Sequence, residues 1–345
     1  LWDAVRVSVD RRNESGLYIL TGSNSIDKTS IMHTGTGRID TLNMYPMSLF
    51  ETGESNGSIS LSALFRDEKA LDDGCQTELS IDELIFAACR GGWPSALFKN
   101  SDKSKLLVAQ SYFEGLCRED ISNIDGKTRD ETVTTLLLRS YARNISTTAA
   151  NTSILRDIRA NTDIGETTFY EYVAALKKLF VIQDIEAWCP AIRSKSSIQS
   201  GNKREFVDPS LVVSALGVEP DYFNLDLKTF GFIFETLCIR DLKIYSNALG
   251  GRVSYYRDRY GLEADCVLHL RDGKYALIEF KLGSSEIEEG AKHLNEIEKL
   301  VEEYNKTEKQ CLLRAPDLKI VITGTQYGYK RPDGVYVVPI GCLRD

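Results

Sequence analysis

Two charged residues interrupt an apolar stretch, Tyr275–Lys281, near the C-terminal end of the chain. The stretch has the length and composition of a strand that is buried on both faces. Because side chains alternate along a strand, Glu279 and Lys281 share one face, roughly 6.6 Å apart at ~3.3 Å per residue. Charged groups are rarely buried without partners. The pair therefore predicts a functional site within a buried sheet.

A second carboxylate, Asp265, lies fourteen residues before Glu279. Asp272-Gly273 predicts a hairpin between the two strands. A two-residue loop would pair Asp265 with Phe280 and would place its carboxylate on the face away from Glu279. A three-residue loop over 271–273, with its glycine in the left-handed region, would pair Asp265 with Glu279 instead. We predict the three-residue loop, because only that register brings the carboxylates together.

Helices and strands alternate through residues 205–345, which is typical of an α/β domain. Glu235 lies on the first of the predicted helices. The predicted helices are Gly231–Ser246 and Glu286–Glu303, and the predicted strands are Val253–Arg257, Ala264–Leu270, Tyr275–Lys281, Ile320–Thr323 and Val335–Val338.

Residues 121–204 have the pattern of a winged helix-turn-helix. A helix over Ser153–Arg159 is followed by a short turn and by a second helix that begins at Thr168. Thr168 and Glu171 predict a capping box, and the second helix carries an apolar stripe at helical spacing. A strand over Val181–Ile185 follows, which completes the order helix, turn, helix, strand. The stripe consists of Phe169, Val173, Leu176 and Phe180.

The same region is the basic part of an acidic chain. It has 12 Lys and Arg against 9 Asp and Glu, whereas the whole chain has a formal charge of −8. We predict that Tyr170, Lys177 and Lys178 contact DNA from the second helix. The alternative is that the module contacts protein, because its net positive charge is small.

The N-terminal part contains two predicted strands, Gly16–Leu20 and Arg38–Met44. Thr21-Gly22-Ser23-Asn24 follows the first, in the manner of a ligand-facing loop at a sheet edge. The stretch that begins at Gly22 nearly matches a phosphate-binding loop, but Asp27 replaces its second glycine and its carboxylate would oppose the phosphates. We therefore expect no phosphate-binding loop in this sequence.

This part resembles the segment that follows the Walker B strand in AAA+ ATPases. Leu20-Thr21-Gly22-Ser23 resembles their sensor-1 strand end, which implies nucleotide contacts by Ser23 and Asn24. Arg38, after Gly35-Thr36-Gly37, stands where many AAA+ proteins carry an arginine finger, a guanidinium that a neighbouring subunit supplies to the transferred phosphoryl group. The alternative is a surface arginine.

Two further motifs extend the resemblance over essentially the whole chain. They are Leu42-x-Met44-x-Pro46-Met47-Ser48-Leu49-x-Glu51 and Gly91-Gly92-Trp93-Pro94. Both resemble a group of uncharacterised prokaryotic AAA+ ATPases that carry a winged helix and a C-terminal nuclease-like domain of unknown function. The resemblance implies the C-terminal part of an AAA+ core over 1–57, a helical lid over 58–120, the winged helix over 121–204 and the nuclease-like domain over 205–345. It also implies Walker motifs upstream of Leu1, binding of ATP with Mg²⁺ by the full-length protein, and self-association.

The C-terminal carboxylates are similar in order to those of PD-(D/E)XK nucleases, the restriction-endonuclease-like α/β fold. That likeness implies that Asp265 and Glu279 hold Mg²⁺ or Mn²⁺ and that Glu235 completes the site. It also implies that Lys281 orients or helps deprotonate the attacking water. The sequence departs from the motif at Glu263-Ala264, where its proline is absent. The alternative is a nuclease-like domain that is inactive and only binds DNA or protein.

Together these patterns predict a multidomain α/β protein, and the composition indicates which partners and metal sites to expect. No apolar stretch approaches the roughly 20 residues of a membrane helix, so we expect no membrane partner. The eight cysteines include no C-x-x-C pair, and the three histidines fit no zinc spacing. We expect reduced thiols and a cytoplasmic protein, with Leu1 lying inside a longer chain.

Overall fold

A computed structural model describes residues 2–22, 38–66, 71–190, 201–307 and 312–345. Within these ranges the chain is mixed α/β, so the predicted α/β class is confirmed at that level. None of the described helices combines the length and the apolar composition that a membrane crossing requires.

The helices of these ranges are numbered in chain order. They are α1 (Trp2–Arg12), α2 (Leu49–Thr52), α3 (Leu61–Leu64), α4 (Ile81–Arg90), α5 (Pro94–Leu97), α6 (Asp102–Gly115), α7 (Ile121–Asn123), α8 (Glu131–Arg143), α9 (Asn151–Arg159), α10 (Glu166–Lys178), α11 (Pro209–Leu216), α12 (Pro220–Leu225), α13 (Leu227–Ala248) and α14 (Ile287–Thr307). A π-helical turn, Leu116–Asp120, joins α6 to α7.

The strands are numbered in the same way. They are β1 (Ile59–Ser60), β2 (Cys75–Gln76), β3 (Arg252–Arg257), β4 (Glu263–His269), β5 (Tyr275–Lys281), β6 (Leu318–Thr323), β7 (Tyr327–Lys330), β8 (Tyr336–Pro339) and β9 (Leu343–Arg344). Seven of them form a mixed sheet in the order β2-β7-β8-β6-β5-β4-β3. Strands β5, β6 and β8 run parallel, and the other neighbours are antiparallel.

The β4–β5 hairpin has the predicted register. Its ladder runs from Cys266 opposite Ile278 to His269 opposite Tyr275. The loop contains three residues, since the Leu270 amide donates to the Lys274 carbonyl at 2.8 Å. Gly273 has a φ of +85°, the left-handed conformation that this loop requires. One step beyond the ladder, Asp265 stands opposite Glu279, which confirms the prediction.

Helices cover both faces of this sheet. On one face α13 packs against residues such as Cys266 and Ile278, which belong to the larger apolar core. On the other face α14 packs against residues such as Val267 and Leu277 through a smaller core. Alternation along β5 therefore directs Glu279 and Lys281 towards α14.

The predicted strands at Gly16–Leu20 and Arg38–Met44 are wrong. Neither segment forms a ladder with any described residue. Ile19 is 91% exposed and Met44 is 89% exposed. A strand is stable when its backbone groups pair with a neighbouring strand and its apolar side chains are covered. Neither condition is met here, so their β-like composition is not sufficient.

The region predicted as a winged helix-turn-helix differs from prediction at two points. Helix α10 begins at Glu166 with Gly165 as its N-cap, so the predicted capping box at Thr168 is wrong. The predicted strand over Val181–Ile185 is reduced to two isolated bridges, Ile182 with Phe206 and Ile185 with Lys203. Phe169, Val173 and Leu176 are buried, so these members of the predicted apolar stripe do face the core.

A buried ionic network explains the two motifs of the N-terminal half. Arg240 on α13 donates to Asp208 at 3.1 Å and to Asp241 at 2.8 Å. Asp241 accepts the Leu49 amide at 3.0 Å, and Asp208 accepts the Gly92 amide at 3.0 Å. The motifs around Leu49 and Gly92 are thus anchored to the helix that carries Glu235.

Gly92→Ala is expected to lower the free energy of unfolding by about 1–3 kcal/mol, the usual range for overpacking. A Cβ at this position would lie 2.1 Å from the Met47 carbonyl oxygen, and this contact is with backbone. The Met47 amide also donates to the Gly92 carbonyl at 2.7 Å, so the two segments cannot separate without losing that bond. Urea unfolding measures the effect.

Gly115→Ala is the matched control. Gly115 is the last residue of α6, and a Cβ there meets nothing within 4 Å. Alanine should stabilise the chain by about 0.5–1 kcal/mol, because it lowers the entropy of the unfolded state. Equal effects of the two substitutions would contradict the packing argument.

Candidate carboxylate site

Asp265 and Glu279 lie where the ladder between β4 and β5 ends. The Asp265 carboxylate does not simply point to one face, because its Oδ2 atom accepts the Phe280 amide at 2.9 Å. It therefore occupies the opening between the two strands. From this position its charge raises the pKa of both Glu279 and Glu235. Asp265 therefore lies between two neighbourhoods: Glu235 belongs to α13 on one face of the sheet, whereas Glu279 faces α14 on the other.

Glu279 is 2% exposed and has two basic neighbours. Its Oε2 atom lies 3.0 Å from Lys281 Nζ, and its Oε1 atom lies 3.6 Å from His293 Nδ1. Burial and the charge of Asp265 raise the pKa of Glu279, while His293 and Lys281 offset part of that rise. The ionised carboxylate is therefore incompletely compensated by the side chains around it.

Lys281 stays protonated in this environment. Burial acts to lower its pKa, but the charges of Glu279 and Asp265 outweigh burial and raise it. Helix α14 approaches closely here, since a Cβ at Gly290 would lie 3.2 Å from Lys281 Cε and 3.4 Å from Glu279 Cβ. The lysine can therefore donate hydrogen bonds as an ammonium group but is poorly suited to accept a proton.

Lys203 is a member of the cluster that the sequence analysis missed. Its ammonium lies 2.6 Å from Glu235, 3.2 Å from Glu263 and 3.6 Å from Asp265. Burial acts to lower its pKa, but these three carboxylates raise it well above its usual value. Lys203 lies 62 residues before Asp265 in the sequence, so spacing gave no sign of this contact.

The cluster carries excess negative charge. The carboxylates of Glu235, Glu263 and Asp265 share the one ammonium group of Lys203. Glu279 contacts Lys281 at 3.0 Å and His293 at 3.6 Å. At the rim, Arg257 approaches Glu263 only to 3.8 Å. A buried surplus of negative charge is costly; protonation, which the raised pKa values of Glu235 and Glu279 favour, relieves it, and a bound cation would do the same.

The chemistry of these donors fits a hard divalent cation. Among the described residues no group of three or more His, Cys, Asp or Glu is arranged to hold a metal ion. Mg²⁺ commonly uses only one or two carboxylates and completes its shell with water and substrate phosphates. Asp265 and Glu279 would supply that smaller number of carboxylates, and burial, followed by the charge of Asp265, raises the pKa of Glu279.

A second buried carboxylate lies beside the cluster. Glu205 is fully buried, and its Oε1 atom accepts from Ser146 Oγ at 3.0 Å. Its Oε2 atom has no hydrogen-bond partner among the described residues. Burial is the main cause that raises the pKa of Glu205 to about 7, against the charges of Lys243 and Lys203. Burial likewise lowers the pKa of Lys243 to about 8.

The raised pKa of Glu205 predicts a loss of stability as pH rises. The unfolded chain releases this proton near pH 4.5, whereas the folded chain retains it up to about 7. The contribution of Glu205 to the free energy of unfolding is therefore fully present below about pH 4.5 and is about 3 kcal/mol smaller at pH 7. Glu205→Gln should remove this slope, and the exposed Glu303→Gln should not. Urea unfolding at several pH values measures it, and an unchanged slope in Glu205→Gln would contradict the assignment.

The predicted nucleotide contacts lie mostly outside the described residues. Ser23 and Asn24 fall in a range that the structure does not describe. Arg38 is described, and its Nε atom donates to Asp10 at the end of α1. Its partner is therefore a carboxylate of the same chain, and the side chain is about half exposed.

The three residues predicted to contact DNA lie on α10, and they differ in whether they are paired with another side chain. Tyr170 and Lys178 are exposed. Lys177 instead forms an ion pair of 2.8 Å with Asp184, whose carboxylate also accepts from Arg204 at 3.0 Å. On α9, Arg156 and Arg159 line a shallow groove next to the start of α10. The exposed positive charge of this region is thus shared between both helices.

Two family models match parts of the chain. Residues 81–222 match one described as a domain of unknown function (DUF8612), and residues 230–343 match another described as a domain of unknown function (DUF4143). No curated protein and no solved structure matches. All four carboxylates of the cluster lie within the second match, whereas Lys203 lies within the first.

Proposed function

We propose that residues 205–345 form a nuclease-like domain that hydrolyses phosphodiester bonds in DNA with Mg²⁺ or Mn²⁺. The observation that carries the proposal is the register of the β4–β5 hairpin, which sets Asp265 opposite Glu279. The ammonium of Lys281 lies 3.0 Å from the Glu279 carboxylate. Such a cluster has the oxygen donors, the excess negative charge and the ammonium group that PD-(D/E)XK chemistry requires.

Each residue has a distinct part in the proposal. Asp265 and Glu279 would hold the cation, and Glu235 would complete the acidic wall. When bound, a divalent cation supplies positive charge to the phosphate and favours ionisation of the attacking water. Lys281, which stays protonated, would donate a hydrogen bond to a phosphate oxygen. This role replaces the proton acceptor that the sequence alone allowed.

We further propose that ATP with Mg²⁺, bound by an AAA+ core of the full-length protein, controls this domain. Residues 1–57 would contribute Ser23, Asn24 and Arg38 to nucleotide binding, and self-association would follow from that core. The bond from the Leu49 amide to Asp241 supports the coupling, because Asp241 and Glu235 lie on the same helix, α13. A shift of the first segment would therefore be transmitted towards the carboxylates.

The helix-turn-helix would serve as a winged-helix contact to DNA. Helix α10 offers Tyr170 and Lys178, and α9 offers Arg156 and Arg159. Because Lys177 is paired with Asp184, it would contribute less to phosphate binding than its neighbour Lys178.

A second candidate is a domain that binds DNA or protein without cleaving it. Lys203 favours this alternative, because an ammonium already neutralises part of the cluster. In that case the full-length protein would be an ATP-controlled regulatory protein.

Hydrolysis of labelled linear and branched DNA by the purified chain separates the two candidates. The proposal expects cleavage that requires Mg²⁺ or Mn²⁺ and that a chelator stops. Binding of DNA without cleavage, under conditions in which the chain is folded, would favour the regulatory alternative. With the full-length protein, the rate should also depend on ATP.

A further inference from the structure

Lys203 reaches the carboxylate cluster from outside the nuclease-like domain. It lies in a segment that we define as residues 201–207 and call the lysine segment. The segment pairs with the extended chain that follows α10, since Ile185 and Lys203 exchange both backbone hydrogen bonds at 2.9 Å. The same extended chain reaches β3, where the Trp188 amide donates to the Tyr255 carbonyl at 2.7 Å. The lysine segment is thus attached to both the helix-turn-helix and the sheet.

The side chain of Lys203 is held in place from several directions. The residue is 1% exposed. Its ammonium contacts carboxylates from α13 and β4, and it lies 5.8 Å from the centre of the Tyr255 ring. The Tyr255 hydroxyl in turn donates to the Gly201 carbonyl, within the lysine segment. Backbone and side chain therefore fix the ammonium in a single position.

That position is incompatible with a cation on the same oxygens. Divalent cations bind carboxylate oxygens at about 2.0–2.6 Å. A cation shared by Glu235 and Asp265 would overlap with an ammonium that lies 2.6 Å and 3.6 Å from these two carboxylates. Both carry positive charge, so repulsion adds to the steric conflict.

We propose that Lys203 is a tethered counter-ion that regulates the carboxylate site by preventing a divalent cation from bridging Glu235 and Asp265, so that only the Asp265 and Glu279 side of the cluster is open to a cation. The inference rests on the proposed function for its biological meaning. Withdrawal of the lysine segment frees three carboxylates, and the segment's pairing with the chain after α10 links this withdrawal to events at the helix-turn-helix. The lysine and the cation are alternative occupants of one position.

Calorimetric titration of the intact chain with Mn²⁺ tests the proposal. Lys203→Met keeps the length of the side chain and removes its charge, so Mn²⁺ should bind about tenfold more tightly or better than to the wild type. The double variant Lys203→Met with Glu235→Gln should lose that gain. Lys274→Met, at the distant hairpin loop, is the matched control and should bind like the wild type. Equal or weaker binding by folded Lys203→Met would overturn the proposal.

Far-UV circular dichroism covers the case in which Lys203→Met does not fold alone. Because Mn²⁺ can replace the lost positive charge, millimolar Mn²⁺ should then restore the folded spectrum. A chain that stays unfolded with Mn²⁺ would also overturn the proposal.

The two proposals fail in different ways. Metal-dependent cleavage by the wild type without tighter Mn²⁺ binding by Lys203→Met would remove the counter-ion role and leave the nuclease. Tighter Mn²⁺ binding without cleavage by any variant would leave the counter-ion role and remove the nuclease.

Discussion

Asp265→Asn and Glu279→Gln are each expected to lower the rate of metal-dependent DNA hydrolysis by about 10²-fold or more, since each removes a carboxylate that would hold the cation. Both substitutions keep the size of the side chain. The asparagine also retains an oxygen for the Phe280 amide, so the fold should survive. Cleavage rates of labelled DNA at fixed Mg²⁺ measure the effect.

Asp272→Asn is the matched control for this experiment. Asp272 lies in the loop of the same hairpin, where its Oδ1 atom accepts the Lys274 amide at 3.0 Å, and it is exposed. The rate of DNA cleavage by Asp272→Asn should equal that of the wild type. Full activity in Asp265→Asn or in Glu279→Gln would mean that the cluster is not the hydrolytic site.

Arg240→Met should produce the largest loss of stability, about 3–5 kcal/mol, because it leaves the buried carboxylates of Asp208 and Asp241 without their cation. Those carboxylates also hold the amides of Gly92 and Leu49, so three parts of the chain would be affected together. Urea or thermal unfolding measures the change.

Arg252→Met offers a comparison at the surface. Arg252 pairs with Glu186, and both side chains are more than half exposed. Exposed pairs contribute about 0–1 kcal/mol, so this variant should remain close to the wild type. If Arg240→Met were equally mild, the buried network could not be what anchors the N-terminal segments to α13.

The sequence predicted the local parts of the candidate site well. Gly273 selects the hairpin loop, and the loop sets the register that brings Asp265 opposite Glu279. Both depend on neighbours in sequence, so turn chemistry and side-chain alternation were sufficient. Helix α13 and strands β4 and β5 could also be predicted, because their patterns depend on residues that are close in sequence.

Contacts between distant segments could not be predicted in this way. Lys203 enters the cluster through tertiary packing of the lysine segment, and no spacing rule connects it with Glu235. The motif around Gly92 resembles a family pattern in the sequence, and the structure explains its glycine by a close approach to Met47. At Gly16–Leu20 the local pattern was β-like, but a strand also needs a partner, which local sequence does not specify.

Calorimetric titration of the wild-type chain with Mn²⁺ or Mg²⁺, repeated with Asp265→Ala and Glu279→Ala, shows whether these two carboxylates hold a divalent cation. We expect the wild type to bind the metal at millimolar concentration or below, and each substitution to abolish the heat of binding. Absence of binding by the folded wild type, or equal binding by all three proteins, would contradict this expectation. The carboxylates would then be structural partners of Lys203 and Lys281.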